Sequence, residues 1–391
     1  MHAGPRVALI ASSFWPHVGG VEEHVRQVAR EFADRAVEVE VWTVDRGDGL
    51  GARVVDGVQV RYLPTPLPAR TGAALYSFAR KAPSAWREWR RAAEEFQPDL
   101  LHVHCFGPNG LYALALQRRT GIPLAVTSHG ETLADDRGIF RRSALLRRGL
   151  ADALARSEIV TAPSRFTLAD LRDTYGLRDG HVVPNGVDLR VDTQGTFDGH
   201  GGPYFASVGR LGQMKGFDLL IEAFSHADLP SGYRVLIGGA GPERGALDLL
   251  IAETGLEGRV VMLGRLSPDE VSRVMAGSLA VVVPSRMEAF GIVALEAWRA
   301  GSALIMTDRG GAPEFVRDGE DGLLVDPTDT VELAGVMRRV AFDTQLRDRL
   351  AQAGRERVPE FTWRAVADAY LRLYASITPS GGRDRSRGAR E

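Results

Sequence analysis

Two doubly wound α/β domains facing each other across a cleft are the fold this sequence predicts. Three observations predict it. The chain has 391 residues, room for two domains of ordinary size. Short apolar runs alternate with segments of helical periodicity along nearly its whole length. The alternation breaks once, at the polar, glycine-rich stretch 189–203 (LRVDTQGTFDGHGGP), which reads as a linker.

The elements follow in order. The apolar run 6–12 (RVALIAS) enters Gly19-Gly20. From 21 to 33, Val21, Val25, Val28, Ala29 and Phe32 fall at helical spacing, with Glu22, Glu23, Arg26 and Arg30 on the other face. A strand at 37–44 completes the opening strand, glycine turn, helix and strand of a doubly wound unit. Strands are expected next at 99–104, 123–128, 158–162 and 181–184, with helices at 110–120 and 143–156. Asn185-Gly186-Val187-Asp188 closes a first domain, 1–188. A second domain, 204–361, is expected to hold strands at 204–208, 233–238, 260–263, 280–283, 303–306 and 322–325. Its helices are expected at 216–224, 245–254, 268–276 and 290–300. An amphipathic helix at 362–377 is expected to cross back to the first domain, ahead of a disordered tail, 378–391.

Composition removes several classes of function. With 44% hydrophobic and 25% charged residues the chain is an ordinary globular protein. A net charge of −2 argues against a nucleic-acid binder, which would show a basic excess. The single cysteine, Cys105, excludes an intramolecular disulfide or a Cys-rich zinc module. No apolar run approaches the roughly 20 residues needed to span a bilayer. The N-terminus lacks a basic region and a cleavage site, so a cytoplasmic protein is expected. Of 48 basic residues only Lys81 and Lys215 are lysine, which singles out Lys215.

Ligands of doubly wound sheets sit beyond the carboxyl ends of the strands, and the informative residues follow strands. After 204–208 come Gly209-Arg210-Leu211 and then Lys215-Gly216 at a helix start. Two cations so placed, with helix N–H groups beside them, suit an anion such as a phosphate. After 233–238 the run Gly238-Gly239-Ala240-Gly241-Pro242-Glu243 lets backbone approach a ligand. It is not a dinucleotide fingerprint, because the third glycine falls on Arg244. The segment 284–300 (PSRMEAFGIVALEAWRA) places Glu288 after a strand, opens a helix at Phe290-Gly291, and carries Glu296 among almost continuous apolar neighbours. A carboxylate there needs a partner, and the two acceptors could bind hydroxyls on either side of a diphosphate.

Jointly, Gly19-Gly20, Asn185-Gly186-Val187-Asp188, Val208-Gly209-Arg210-Leu211, Lys215-Gly216 and the Glu288–Glu296 pair resemble the retaining glycosyltransferases of family 4, with the GT-B fold. The resemblance covers nearly the whole chain. It implies a hexosyl transfer from a nucleoside-diphosphate sugar, used as co-substrate without metal or other cofactor, to an acceptor hydroxyl. UDP-glucose or UDP-N-acetylglucosamine is favoured, with GDP-mannose next. It implies that Arg210 and Lys215 hold the diphosphate, Glu296 the ribose hydroxyls and Glu288 the transferred sugar. Backbone of Ala289, Phe290 and Gly291 would lie by the sugar and phosphates, backbone of Arg265 and Leu266 near the base, and Gly19-Gly20 at the diphosphate and acceptor edge, with Gly209, Gly239 and Ile292 also counted among the donor-binding residues. His129, in Ser128-His129-Gly130-Glu131, matches the histidine near the reacting sugar. Two alternatives stay open, a nucleotide-sugar epimerase on the same fold and a non-catalytic nucleotide-sugar-binding protein.

Other residues have plainer readings. His102 and His104 share a strand face, where packed strand-end histidines are favoured over metal ligation. Trp15, His17, Tyr76 and Phe106 could shape an acceptor pocket, core or rim. The arginine run Arg137, Arg141, Arg142, Arg147 and Arg148 could meet an anionic acceptor or a membrane, though a solvated helix face is favoured.

Overall fold

The computed structural model describes residues 5–17, 19–68, 71–133, 138–190, 197 and 201–377. The expected tail, most of the expected linker, and Arg137 lie outside them. The first half runs β1 (Arg6–Ala11), α1 (Gly20–Ala33), β2 (Glu38–Val44), β3 (Ala52–Val55), β4 (Val58–Leu63), α2 (Gly72–Phe96), β5 (Leu100–His104) and α3 (Pro108–Thr120). It continues with β6 (Leu124–Thr127), α4 (Ile139–Arg142), α5 (Ala144–Arg156), β7 (Ile159–Ala162), α6 (Arg165–Tyr175) and β8 (His181–Val182). The second half opens with β9 (Tyr204–Val208), α7 (Phe217–His226), β10 (Arg234–Gly238), α8 (Arg244–Glu253), β11 (Val260–Gly264) and α9 (Pro268–Ala276). Then come β12 (Ala280–Val283), α10 (Ile292–Ala300), β13 (Ala303–Thr307), β14 (Leu323–Val325), α11 (Thr330–Phe342), α12 (Thr344–Arg357) and α13 (Trp363–Tyr374).

The strands form two sheets, in the orders β3-β4-β2-β1-β5-β6-β7-β8 and β11-β10-β9-β12-β13-β14. Every pairing is parallel except the β3–β4 hairpin. Helices cover both faces, so central strands such as Val7–Ala11 and Ala303–Thr307 are buried along their length, as near-continuous apolar runs require. Two doubly wound domains are therefore present.

Helix α13 is the exception to sequential packing. Its Trp363, Val366, Ala367, Tyr370 and Tyr374 lie in one cluster with Val25, Val28 and Phe32 of α1, within the first domain. Its phenols enter a polar pocket under β5 and β6. Tyr370 Oη lies 2.9 Å from His24 Nε2, and Tyr374 Oη 2.5 Å from His102 Nδ1. The second nitrogen of His102 pairs with Thr127 Oγ1 at 2.7 Å, so this strand histidine is a satisfied packing residue.

Burial drives the pKa of His24 down to about 4, against a hydrogen bond to Asn185 that favours the charged form. Burial, reinforced by the neighbouring His24, takes His102 to about 3. An unfolded histidine titrates near ~6.5. Below that pH the unfolded chain binds protons the folded chain refuses, so stability is lost as pH falls through the interval down to these values. The denaturant midpoint should fall from pH 6.5 towards pH 4, and more shallowly in His102→Gln. Equal slopes in the two proteins would contradict this.

Candidate active site

Each sheet has a reversal of strand order at its centre: β1 lies between β2 and β5, and β9 between β10 and β12. The crevice beyond the carboxyl ends at such a point is where open α/β sheets bind ligands. Beyond β9, Gly209 N–H donates to Gly238 O at 3.0 Å and Leu211 N–H to Ala240 O at 3.1 Å, so the loops after β9 and β10 lie against each other. Gly239, with φ +147°, is required by that contact, since a Cβ there would sit 1.8 Å from Gly209 O. Its glycine is thus explained by packing between loops. Arg210 is exposed on the same loop.

Lys215 ends a short 3₁₀ turn, Gln213–Lys215, and α7 begins two residues later at Phe217. Its Nζ lies 2.6 Å from Glu288 Oε2, which also accepts from Ser285 Oγ at 3.0 Å. The sequence reading gave these two charges separate ligands; the fold pairs them directly. Ser285, buried in the loop two residues after β12, has no signal in its type or spacing that would have marked it.

Glu288 lies in the loop, and α10 begins at Ile292, two residues later than expected. The side chain of Phe290 turns into the core and stacks on Phe315 at 4.2 Å, which leaves only its backbone to meet a ligand. Gly291 takes φ +94°, where a Cβ would lie 2.6 Å from Met306 Cε. The first domain closes onto this loop. Ser164 Oγ donates to Ala289 O at 2.7 Å, and Glu314 caps α6 by accepting from Arg165 and Phe166 N–H, each at 2.7 Å. A Cβ on Gly130 would meet Ala289 Cβ at 2.5 Å, and one on Gly20 would touch Ile292 Cδ1 at 3.7 Å. Gly19 caps α1 in extended backbone.

Glu296 is half-buried on α10 with no hydrogen-bond partner among the described residues. Burial pushes its carboxyl up to about 7, opposed by Arg299 and assisted by Glu23 of α1. Arg299 does not answer it with a hydrogen bond. Its guanidinium donates instead to Asp188 O and Ser272 Oγ, each at 3.0 Å. Of the two residues expected near the base, Arg265 is exposed and Leu266 is half-buried, its Cδ1 2.6 Å from where a Cβ on Gly238 would sit.

On the opposite wall, His129 follows β6 and is half-buried, with Nε2 at 3.2 Å from His104 Nδ1. Glu131 fixes its loop, accepting from Phe106 N–H (2.8 Å), His129 N–H (2.7 Å) and Ser128 Oγ (2.9 Å). Burial raises the Glu131 pKa against these bonds. His24 and Asn185, 2.7 Å apart, complete this wall. His24 was legible in principle, as a polar residue in phase with the apolar Val21, Val25 and Val28. Of the aromatic acceptor candidates Phe106 is core, while Trp15, His17 and Tyr76 are exposed. Arg141, Arg142, Arg147 and Arg148 are exposed, and Arg147 donates to Phe140 O and Arg141 O, stapling α4 to α5.

Residues 18–191 match the family described as Glycosyltransferase Family 4, and residues 194–357 match Glycosyl transferases group 1. A D-inositol 3-phosphate glycosyltransferase of Mycolicibacterium smegmatis is 31% identical over 91% of this chain and 86% of its own length. Its counterpart from Acidothermus cellulolyticus is 29% identical over 94% and 90%. Among solved structures, sucrose-phosphate synthase from Thermosynechococcus elongatus has the same fold, with a TM-score of 0.80 at 22% identity over 95% of this chain and 100% of that one. Anabaena HepE, solved with UDP-glucose, has a TM-score of 0.77 at 20% identity over 95% and 100%. Among the described residues no helix is long and apolar enough to cross a membrane. The chain belongs to the family 4, group 1 glycosyltransferases of GT-B fold, and is a hexosyltransferase that takes its sugar from a nucleotide-sugar donor.

Proposed function

We propose that the protein is a retaining transferase that uses UDP-glucose or UDP-N-acetylglucosamine, with GDP-mannose next, and delivers the hexose to a hydroxyl of a small molecule, lipid or glycan. One observation carries this reading: Lys215 and Glu288 meet at 2.6 Å outside the β9/β12 reversal, ahead of a helix whose Glu296 lacks a partner among the described residues. The UDP-glucose complex of HepE supports the donor. The D-inositol 3-phosphate relatives put a phosphorylated polyol among the small acceptors.

In this reading the pyrophosphate sits between Lys215, Arg210 and the first turn of α10. The first-turn N–H groups of a helix have no partner within the helix and favour anions. Glu296 accepts from the ribose hydroxyls. The donor phosphate competes with Glu288 for Lys215, which frees the Glu288 carboxylate to accept from hydroxyls of the sugar. His129 holds the same sugar from the other domain. As the bond between the anomeric carbon and the diphosphate breaks, charge builds on the departing oxygen, and groups fixed there stabilise the transition state above the ground state. The acceptor oxygen bonds to the same face of that carbon, and its proton passes to the departing phosphate. No side-chain base is required, and no metal or cofactor is invoked. Because Ala289 touches Ser164 and Gly130 across the cleft, donor entry and product release require the domains to part.

A thermal-shift panel tests the donor: UDP-glucose or UDP-N-acetylglucosamine should raise Tm more than GDP-mannose, and a response to GDP-mannose alone would overturn the preference. Lys215→Ala should reduce kcat/KM by about 10²–10³ with unchanged circular dichroism, the usual weight of one charge-stabilising donor. Wild-type turnover in that variant would remove Lys215 from the site.

Glu296 gives a pH signature. A carboxyl that titrates near 7 accepts two hydroxyls only when ionised, so UDP affinity should rise as pH increases through about 7. Glu296→Gln should lose that rise and bind UDP more weakly at pH 8 by about 1.5–3 kcal/mol, the range for a charged hydrogen bond. Matching calorimetric pH profiles for the two proteins would contradict the assignment.

A further inference from the structure

Below the sugar wall, three imidazoles from three elements of the first domain converge: His24 of α1, His104 at the end of β5, and His129 after β6. One ring nitrogen of each lies within 4.8 Å of the other two. We propose that His24, His104 and His129 form a binding site for a divalent ion of the zinc class, such as Zn²⁺, Co²⁺ or Ni²⁺.

The spacing suits it. His104 Nδ1 and His129 Nε2 are 3.2 Å apart. Two nitrogens each about 2.0–2.1 Å from a tetrahedral zinc lie roughly 3.3 Å from one another. His104 is fully buried, and its Nε2 has no hydrogen-bond partner among the described residues. The nitrogen turned towards His129 is Nδ1, so ligation through it places the ring proton on Nε2. His24 has the outer support typical of a metal ligand. Its Nδ1 lies 2.7 Å from Asn185 Oδ1, so an N–H directed at that amide oxygen leaves the Nε2 lone pair for the ion. Binding then displaces the Tyr370 hydroxyl, now 2.9 Å from Nε2.

The ligand set decides the class of ion. Three imidazoles suit zinc, cobalt, nickel or copper, whereas magnesium and calcium take oxygen ligands. Burial lowers the pKa of all three rings, which keeps them in the neutral form that binds a metal. His129, half-buried at the cleft, gives the ion its entry and leaves a coordination position open. The ion is a brake and not a cofactor: it holds His129 away from the sugar. That consequence, unlike the site itself, rests on the sugar-binding role given to His129.

Titrating the full-length protein with Co²⁺ tests the site. One equivalent should bind with the visible spectrum of tetrahedral cobalt, and His104→Gln and His129→Gln should each abolish it. Tyr370→Phe should bind cobalt about two- to tenfold more tightly, because one neutral hydrogen bond no longer competes for His24 Nε2. Absence of saturable uptake, or a spectrum unchanged in both histidine variants, would overturn the site. So would unaltered affinity in Tyr370→Phe. A cobalt spectrum without inhibition of transfer would confirm the site and overturn the role given to His129.

Discussion

The contact between Lys215 and Glu288 ties the second domain's candidate binding site together. It joins the loop after β9 to the loop after β12, the two central strands at which the sheet reverses its order. Other contacts hold the same loops in register. Arg286 N–H donates to Met214 O at 2.9 Å, and its guanidinium grips the Asp218 carboxylate at 2.8 and 2.5 Å. Gly216, with φ +65°, lets the turn pass Pro284 O, which a Cβ would approach to 1.9 Å. The Glu288 side chain is only 12% exposed, so removing its cation would leave a poorly solvated carboxylate. In the proposed donor complex a phosphate at Lys215 would exchange one anionic partner for another, and no cation would be stranded.

The first domain meets this apparatus with a differently built wall. Its histidines are kept neutral by burial and held by neutral partners: Asn185, Thr127, Tyr370 and Tyr374. Two of those partners come from the last helix, which has crossed from the other half of the chain. The crossing is tightly fitted. Val187 N–H donates to Phe361 O at 2.9 Å, and a Cβ on Gly186 would lie 2.6 Å from Trp363 N. The end of the first domain and the start of the returning helix therefore pack side by side.

The fold and the placement of the candidate residues were legible in the sequence, because those residues lie where topology puts the ends of the strands. Parallel strands buried on both faces announce themselves as apolar runs, and Arg210, Lys215, Glu288 and His129 all follow such runs. Other elements left weaker traces. The β3–β4 hairpin is largely exposed along β3, so it shows no buried face. Helix α2 contains Pro83, and α12 buries only Leu346, Leu350 and Gly354, too few to set a clear period. The late start of α10 follows from Phe290 seeking the core and Gly291 taking a left-handed turn. The Lys215–Glu288 pairing and the convergence of His24 on His129 join residues far apart in the chain, and no local spacing encodes them.

A crystal structure of the protein soaked with UDP measures the central claim most directly. The diphosphate should lie between Lys215 and the first turn of α10, with the ribose hydroxyls on Glu296 and Lys215 Nζ drawn away from Glu288. A diphosphate bound elsewhere, or a bound nucleotide with the Lys215–Glu288 pair undisturbed, would contradict the account.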